Sequence, residues 1–402
     1  MRNKMLYVVL ALGLILAACA PQATPTAAPA TQAPVATSIP ATAAPAVTAT
    51  QACAQPVKIA IIGALSGTNA SLGNWMTQGV TLAVEQKNKA GGVQGCQVQI
   101  ITYDDQADPT TSVGLAQKVA TQDNAMAVWA TTNSNTALAD LPIFQQYKIP
   151  QLTNGTNVTI TQQGDPYIFR VNPAGPAYET PVVNYLVKQG KTKFAIIGDN
   201  SAYGVGETKY QTDALKADNL TPLDTESYGI NDKDFTGQLT KIMQTQPDVL
   251  LLASSEVAAG LIAKQARQLG FTGIIGGGSG LASPVFISTA GDAAEGAYFT
   301  SPYPGNDAND ATKAFDAAYK ARWGADPEVH GANTYDGTNM LLMAMDNAHP
   351  LTPDNVATQM HKICNYQGLQ GTFCYDQTGE GINTTFLGVV KDGQLTYLPT
   401  TP

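Results

Sequence analysis

The sequence predicts an α/β protein with two Rossmann-like lobes, each containing a parallel sheet, and three observations support this fold class. Nearly continuous apolar runs such as Val57–Gly63 are typical of strands that are buried on both faces of a parallel sheet. That run is followed by a small-residue loop and an amphipathic helix with Met76 and Val80 on one face, and similar units recur. About 350 residues remain after a low-complexity N-terminal segment, which is twice the size of a typical domain.

The N-terminal 55 residues are not expected to belong to the folded body. Arg2 and Lys4 precede an apolar stretch too short to anchor in a bilayer, which indicates a secretory signal peptide over residues 1–18. The signal ends in Leu-Ala-Ala followed by Cys19, which resembles the bacterial lipobox, where the Cys becomes the lipid-bearing amino terminus. Residues 19–55 are mostly Ala, Thr, Pro and Gln, so this linker is expected to be disordered. An ordinary export signal with a chance Cys is the alternative.

The charge balance argues against two classes of partner. Of the 22 basic residues, Arg2 and Lys4 fall in the signal peptide, which leaves 20 against 31 acidic residues. Affinity for nucleic acid comes mainly from Lys and Arg contacts to phosphates, so nucleic acid is not expected as a partner. Direct binding to an anionic lipid surface is disfavoured for the same reason.

The five cysteines predict disulfides in an exported chain. With Cys19 assigned to the lipid, Cys53, Cys96, Cys364 and Cys374 remain, and this even number predicts two bridges. Three pairings are possible; proximity in sequence favours Cys364–Cys374, and a Cys53–Cys96 bridge would pin the start of the body to the second strand. A four-cysteine metal site is the weaker alternative, because no CxxC spacing occurs and the compartment is oxidising.

Strands and helices alternate through both halves of the body. In the first half, the predicted strands cover residues 57–63, 97–103, 126–130 and 149–152, with helices after Gly73, after Pro109 and over residues 137–147. In the second half, they cover residues 193–198, 221–228, 248–253 and 273–276. This alternation predicts right-handed crossovers and a second parallel sheet. Two helices and a β-rich tail follow, in which Asp392-Gly393 indicates a hairpin.

Three strand-to-helix loops of the first half carry small hydroxyl and amide residues without charge, including residues 131–134 and 153–157. In open α/β sheets, ligands bind at the carboxyl ends of the strands, where these loops lie. Free backbone N–H groups at helix N-termini would cradle a carboxylate or another anion there. Ordinary capping and turn chemistry explains any one loop equally well.

The order and spacing of several short stretches resemble those of the type I periplasmic binding proteins of ABC importers, in the leucine/isoleucine/valine-binding branch. These stretches are residues 58–67, Tyr103-Asp104-Asp105, Phe169-Arg170, Tyr203-Gly204, Asp234-Phe235-Thr236, residues 290–296, Tyr335-Asp336 and residues 373–376. The resemblance implies two lobes that are joined by a three-strand hinge and close on a small ligand. It implies a first lobe of residues 56–172 and 302–372, and a second lobe of residues 173–301 and 373–402.

The resemblance also implies a set of ligand-binding residues. The ligand's carboxylate would meet first-lobe groups, a hydrophobic wall would flank its side chain, and second-lobe groups would close over it. These are, in that order, Thr131, Thr132, Asn154, Gly155 and Thr156; Leu72 and Trp75; and Tyr203, Ser255 and Glu256. Trp75 has a core position as its alternative role, and Glu256 has that of a first-turn helix residue favoured by the helix dipole.

One loop departs from the family pattern. Branched-chain members place a Glu after the strand that corresponds to residues 273–276, where it binds the ligand's ammonium group. This chain has Gly-Gly-Ser-Gly there, with Ser279 as its polar side chain. Because a buried ammonium without a counter-charge costs several kcal/mol, either Glu256 or Asp336 supplies the charge or the ligand has no ammonium. For Asp336, a helix-capping role is the alternative.

An enzyme is not expected. The three histidines, His330, His349 and His361, form no HExxH pair, and no GxSxG, GxGxxG or Walker motif occurs. The expectation is a lipid-anchored, extracytoplasmic, monomeric substrate-binding protein without cofactor or metal. It would capture a small amino acid or related carboxylate or amide and deliver it to a membrane permease. A lipoprotein sensor that feeds a signalling receptor is the main alternative, and an amidase on this scaffold is a third.

Overall fold

A computed structural model describes Cys53, residues 55–305 and residues 308–399. The predicted signal peptide, the predicted lipidation site at Cys19 and nearly all of the linker 19–55 lie outside these residues. The strands are β1 Val57–Gly63, β2 Val98–Asp104, β3 Ala127–Ala130, β4 Gln151–Thr153, β5 Ile168–Arg170, β6 Phe194–Asp199, β7 Asp224–Tyr228, β8 Val249–Ala253, β9 Ile274–Gly277, β10 Tyr298–Ser301, β11 Tyr366–Gly368, β12 Gly371–Tyr375, β13 Gly381–Ile382, β14 Phe386–Lys391 and β15 Gln394–Tyr397. The α-helices are α1 Ala70–Lys89, α2 Pro109–Lys118, α3 Ser134–Tyr147, α4 Gly175–Lys188, α5 Ala202–Ala217, α6 Thr236–Gln244, α7 Glu256–Gln268, α8 Pro284–Ala290, α9 Asp310–Trp323, α10 Val329–Asn347 and α11 Pro353–Met360.

The first lobe is built on a parallel five-stranded sheet in the order β2-β1-β3-β4-β5. Its inner strands β1 and β3 are buried almost throughout, whereas the edge strand β2 is partly exposed, as its more polar sequence predicts. Residues from α1 and α10 form a core on one face of the sheet, around Trp129, and residues from α2 and α3 form a core on the other, around Phe144. The sheet is therefore covered on both faces, and its carboxyl edge remains for a site.

The second lobe contains a seven-stranded sheet in the order β15-β14-β10-β9-β8-β6-β7. The five strands from β10 to β7 are parallel. Four of them correspond to the predicted strands, and β10 was not predicted. Strand β14 pairs antiparallel with both β10 and β15. The predicted hairpin at Asp392-Gly393 is confirmed. Both residues have positive φ, 52° and 69°, the backbone that a tight two-residue hairpin turn requires.

Strands β11, β12 and β13 form a third, antiparallel sheet. The chain passes between the two lobes three times: from β5 to α4, from β10 to α9 and from β13 to β14. The predicted α/β fold class with two lobes is confirmed. The predicted lobe boundary is misplaced at strand β12. Residues 373–402 were predicted to belong to the second lobe, but Phe373 and Tyr375 belong to the first-lobe core. The Tyr375 ring packs edge-on against Phe373, at 4.8 Å between centroids, and against Phe169 of β5, at 5.3 Å.

The two favoured disulfides are confirmed, since Cys53 pairs with Cys96 and Cys364 pairs with Cys374. This pairing leaves no four-cysteine metal site. Within the described ranges, no cluster of His, Cys, Asp and Glu side chains could hold a metal ion. Across those same ranges, every helix is too short or too polar to cross a membrane.

Removing either disulfide should destabilise the fold, and the bridge with the longer loop should matter more. Cys53–Cys96 spans 43 residues and Cys364–Cys374 spans 10. Loop-closure entropy then predicts losses in the free energy of unfolding of about 4 kcal/mol for Cys53→Ser with Cys96→Ser, and about 3 kcal/mol for Cys364→Ser with Cys374→Ser. Urea unfolding of both double variants measures this, and the reverse order would contradict the prediction.

Candidate functional site

A cavity lies between the lobes, where the carboxyl ends of strands from both sheets face each other. The loop after β1 contributes Asn69 to its lining, and the first turn of α1 contributes Leu72. This loop is held in place because Asp104, at the end of β2, accepts hydrogen bonds from the Leu65 N–H, at 2.9 Å, and the Ser66 hydroxyl, at 2.6 Å. Gly73 is needed at the start of the helix, since a Cβ there would lie 2.0 Å from the carbonyl oxygen of Ala64.

The first-lobe wall consists of uncharged polar residues from the loops after β3 and β4 and from the start of α3. They are Thr132, Asn133, Ser134, Asn135, Asn154 and Thr156. Several of their polar atoms are buried without a hydrogen-bond partner among the described residues: Thr132 Oγ1, Asn133 Oδ1, and both Oδ1 and Nδ2 of Asn154. Buried polar groups normally have partners, so these atoms indicate a place for a polar ligand. The N-terminal end of α3 adds free N–H groups and a favourable dipole for an anion.

A buried arginine fixes the backbone of the loop after β4. The guanidinium of Arg170 donates to the carbonyl oxygens of Gly155 and Asn157, the second at 2.9 Å, and its Nε donates to Glu380 Oε2 at 3.0 Å. Arg170 is fully buried, so these bonds act in a medium of low polarity and hold the loop firmly. The sequence analysis identified Phe169-Arg170 only as part of the family resemblance. The role of Arg170 could not be predicted, because its hydrogen-bond partners are distant along the chain.

The second-lobe wall contains Tyr203, Ser255, Glu256 and Ser279, which lie near the ends of β6, β8 and β9. Glu256 is only 4 % exposed, and burial raises the pKa of its carboxyl group to about 6, although the nearby His330 lowers it. The Glu256 carboxyl group is therefore mostly ionised above about pH 6. Asp199 and Ser201 complete this wall at the end of β6.

His330, at the start of α10, connects the two walls of the cavity. It was not among the predicted ligand-binding residues. Its Nδ1 lies 2.9 Å from Glu328 Oε2. Burial lowers the pKa of His330, but the carboxylates of Glu328 and Glu256 outweigh that effect, and the pKa is raised overall. Trp75 stacks on the imidazole with 6.2 Å between ring centroids and an interplanar angle of 10°. Trp75 therefore supports His330 and does not line the cavity itself.

Eight of the predicted residues line this one cavity: Leu72, Thr132, Asn154, Thr156, Tyr203, Ser255, Glu256 and Ser279. Thr131 and Gly155 lie behind its wall: the Thr131 carbonyl accepts from the Thr153 hydroxyl at 2.7 Å, and Gly155 packs against Ser134. Further lining residues missed from the sequence are Asn69, Asn172, Tyr178 and Asn333. Asn172 lies on a crossing segment and Asn333 on α10, so no strand-end pattern marks them.

Asp336 requires a correction, because the structure places it away from the cavity. Its Oδ2 accepts hydrogen bonds from the backbone N–H groups of Leu369, at 2.7 Å, and Gln370, at 3.4 Å. The side chain is 4 % exposed and holds the turn between β11 and β12 against α10. Asp336 is thus occupied by a structural role and does not face the cleft as a counter-charge.

Comparison with known proteins agrees with this geometry. The family model described as periplasmic binding protein matches residues 56–394. The chain belongs to the periplasmic binding protein family. The resemblance to its leucine/isoleucine/valine-binding branch is also confirmed, since curated relatives carry such names. The leucine-, isoleucine-, valine-, threonine-, and alanine-binding protein of Pseudomonas aeruginosa is 27% identical over 337 residues, which cover 82% of this chain and 88% of that protein.

Solved structures give the same result. A leucine binding protein from Thermotoga maritima superposes with a TM-score of 0.80 at 28% identity, and the match covers 85% of this chain and 97% of that one. A solute binding protein from R. palustris in complex with benzoate has a TM-score of 0.79 at 21% identity, covering 85% and 95% of the two chains, which shows the fold alone. Because this fold holds ligands of different chemistry, the lining residues must indicate the ligand of this family member.

The buried Asp336 should make the stability depend on pH in a predictable direction. Burial raises its pKa to about 7 from the ordinary 3.8, so the folded protein retains a proton that the unfolded chain releases above pH 3.8. The free energy of unfolding therefore falls as pH rises from about 4 to about 7, by as much as about 4 kcal/mol from this group.

Asp336→Asn should remove this contribution while keeping an oxygen for the Leu369 N–H. Relative to the wild type, the variant should gain stability progressively between about pH 4 and about pH 7 and no further above it. Urea unfolding of both proteins across this range measures the difference. A difference that does not change with pH would contradict the prediction.

Proposed function

We propose that this protein is a lipid-anchored, extracytoplasmic substrate-binding protein of an ABC importer. It captures a small amino acid, or a related carboxylate or amide, by closure of its two lobes and delivers it unchanged to a membrane permease. The observation that carries this proposal is a group of buried polar atoms at Thr132, Asn133 and Asn154, which have no hydrogen-bond partner in the described part of the chain and lie opposite the second-lobe residues Tyr203 and Glu256. Such a group fits a carboxylate or amide that accepts and donates hydrogen bonds on the first-lobe side.

The lining favours a ligand that is polar along most of its length. Its aliphatic members are Leu72, Ile230 and Val329, whereas six asparagines contribute amide groups. The asparagines are Asn69, Asn133, Asn135, Asn154, Asn172 and Asn333. A large aliphatic side chain would leave many of these amides without partners, at a cost of about 1–3 kcal/mol for each buried group. We therefore expect a small or polar side chain and not a branched aliphatic one.

Hydrogen bonds near the hinge support closure as a movement of two preformed halves. Asn157 Nδ2 of the first lobe donates to the Ala202 carbonyl of the second at 2.6 Å, and the Val158 N–H donates to the Tyr210 hydroxyl at 3.0 Å. Both bonds lie beside the β5–α4 crossing, so the lobes are held at one side of the cavity. A hinge at this side would open the opposite side of the cleft to solvent.

The predicted signal peptide and Cys19 support the anchoring part of the proposal, and the family supports the transport part. Delivery to a permease requires that the lobes stay closed on the ligand until docking. The hydrogen bonds of Asn157 and Val158 to the second lobe favour this closed arrangement. Binding without turnover agrees with membership in a family of solute-binding proteins.

A thermal-shift screen tests the proposal. L-amino acids, their des-amino carboxylates and their amides are added separately to the purified protein. A compound at about 1,000 times its Kd should add about 4 kcal/mol to the free energy of unfolding. The unfolding temperature should rise for a small polar member of the set, and no product should form on incubation. Failure of every compound, or conversion of the bound one, would contradict the proposal.

Thr132→Val tests the first-lobe wall. The substitution keeps the shape and removes a hydroxyl whose oxygen is buried without a partner, so affinity for the ligand found in the screen should fall about tenfold. Thr240→Val is the matched control, because that hydroxyl bonds the Thr236 carbonyl on the exposed side of α6. Isothermal titration of both variants measures the change. Equal affinity in Thr132→Val and the wild type would show that the hydroxyl does not contact the ligand.

A further inference from the structure

The start of α10 brings two polar side chains, those of His330 and Asn333, to the lining of the cavity. Residues three positions apart lie on the same face of a helix, with about 5–6 Å between their Cβ atoms. Asn333 is 1 % exposed, and the side chain of His330 is 13 % exposed. One turn of α10 therefore presents an imidazole and an amide side by side to a ligand in the cavity.

The imidazole of His330 is oriented by its neighbours so that one ring nitrogen is left for a ligand. Glu328, the N-cap residue of α10, accepts from the Gly331 N–H with Oε1, and its Oε2 lies 2.9 Å from His330 Nδ1. Trp75 stacks on the other side of this contact, nearly parallel to the ring. Because a carboxylate only accepts hydrogen bonds, Nδ1 carries the hydrogen of this bond. The second nitrogen, Nε2, is hydrogen-bonded to none of the described residues.

The amide of Asn333 also has an atom without a partner. Its Oδ1 is buried and accepts no hydrogen bond from any residue that the structure describes, so His330 Nε2 and Asn333 Oδ1 do not bond each other. Buried polar atoms normally have hydrogen-bond partners, and leaving one without a partner is costly. A ligand that donates a hydrogen bond to Asn333 Oδ1 is therefore favoured.

The charges around these two side chains disfavour a charged ligand group. Glu256, at the start of α7, lines the cavity from the second-lobe wall, and its carboxylate and that of Glu328 both act on the His330 imidazole. Two carboxylates beside one imidazole leave no surplus positive charge for a further carboxylate. A ligand ammonium offers only donors, so it has no acceptor for an Nε2–H of the protonated ring.

A neutral carboxamide matches this set of groups. Its oxygen accepts from His330 Nε2, and its two N–H groups are available for Asn333 Oδ1 and the carboxyl group of Glu256. A carboxylate in the same place has no hydrogen for Asn333 Oδ1. An alkyl group of the same shape leaves the polar atoms of both His330 and Asn333 without partners.

We infer that His330 and Asn333, together with Glu256, form a subsite that binds a carboxamide group of the ligand. The inference rests on the proposed function and narrows its ligand to compounds that carry a neutral primary amide at this end. His330 and Asn333 are then the residues of α10 that determine specificity. They select the amide over a carboxylate or alkyl group of equal size.

Isothermal titration of the wild-type protein with isosteric compounds tests this inference. L-asparagine, L-aspartate and L-leucine have side chains of one shape that end in a carboxamide, a carboxylate and two methyl groups. Succinamate, succinate and 4-methylpentanoate repeat this series without the amino group. L-glutamine with L-glutamate, and glutaramate with glutarate, extend the two series by one methylene. In at least one series, the carboxamide should bind about tenfold or more tightly than its isosteres.

His330→Phe is the first variant test, because it keeps a ring against Trp75 and removes both nitrogens. It should bind the carboxamide about tenfold more weakly than the wild type, and the alkyl isostere at least as tightly. Asn333→Leu, a change of amide to alkyl at nearly constant shape, should shift the preference in the same direction.

His361→Phe is the matched control. His361 Nε2 lies 2.9 Å from the Pro166 carbonyl oxygen, and its ring packs on Phe169 with 4.7 Å between centroids, outside the cavity. The same change of residue type there should leave the affinity ratios of the isosteres unchanged.

Two results would overturn the inference and leave the proposed function standing. The first is tightest binding of a carboxylate or alkyl member in every series by the wild type. The second is an unchanged preference for the carboxamide in both His330→Phe and Asn333→Leu. If neither variant folds, the isosteric series with the wild type decides. If no amino acid, carboxylate or amide binds the wild type, the proposed function fails and the inference fails with it.

Discussion

The buried Arg170 is the interaction on which the rest of the site depends. One guanidinium joins β5 to Glu380, in the turn between β12 and β13, and to the carbonyls of Gly155 and Asn157 in the loop after β4. The same loop carries Asn154 and Thr156 into the cavity and bonds the second lobe through Thr156 and Asn157. A single fixed cation thus sets the position of the first-lobe wall and of the hinge-side contacts. A lysine could not replace it, because its ammonium lacks the planar fork that reaches several acceptors at once.

The sequence was sufficient to predict the fold and to predict that the site lies at the carboxyl ends of the parallel strands. Buried parallel strands such as β1 and β3 appear as nearly continuous apolar runs, and Asp392-Gly393 is a residue pair typical of tight turns, so local patterns predict these elements. The loops after β3 and β4 were predicted because carboxyl ends of parallel strands share an edge, whereas the site residues after β8 were predicted from the family resemblance. His330, Asn333 and Asn172 could not be found in this way. Their positions depend on how α10 and a crossing segment pack in three dimensions.

The acidic residues show the limit of sequence reasoning most clearly. Glu256 and Asp336 are both near-buried acids on helices, and their local sequences do not distinguish a cavity residue from a turn-holding one. The difference comes from partners more than 30 positions away: the Leu369 N–H for Asp336 and the His330 imidazole for Glu256. Glu179 and Glu207 look like ordinary helix-surface acids in the sequence, and only the packing of α4 on α5 places them together. Gly278 lacks a side chain, and the carboxyl group of Glu179 lies where a Cβ would be.

The Cys53–Cys96 bridge has a mechanical consequence. Cys53 precedes β1, and Cys96 precedes β2, so both lie at the amino ends of these strands, opposite the cleft. A pull on the N-terminal segment would otherwise act directly on β1, the strand that pairs with both β2 and β3. The bridge diverts part of that pull to the start of β2 at the sheet margin. The cavity lies at the carboxyl ends of the same sheet, away from the point where such a pull would act.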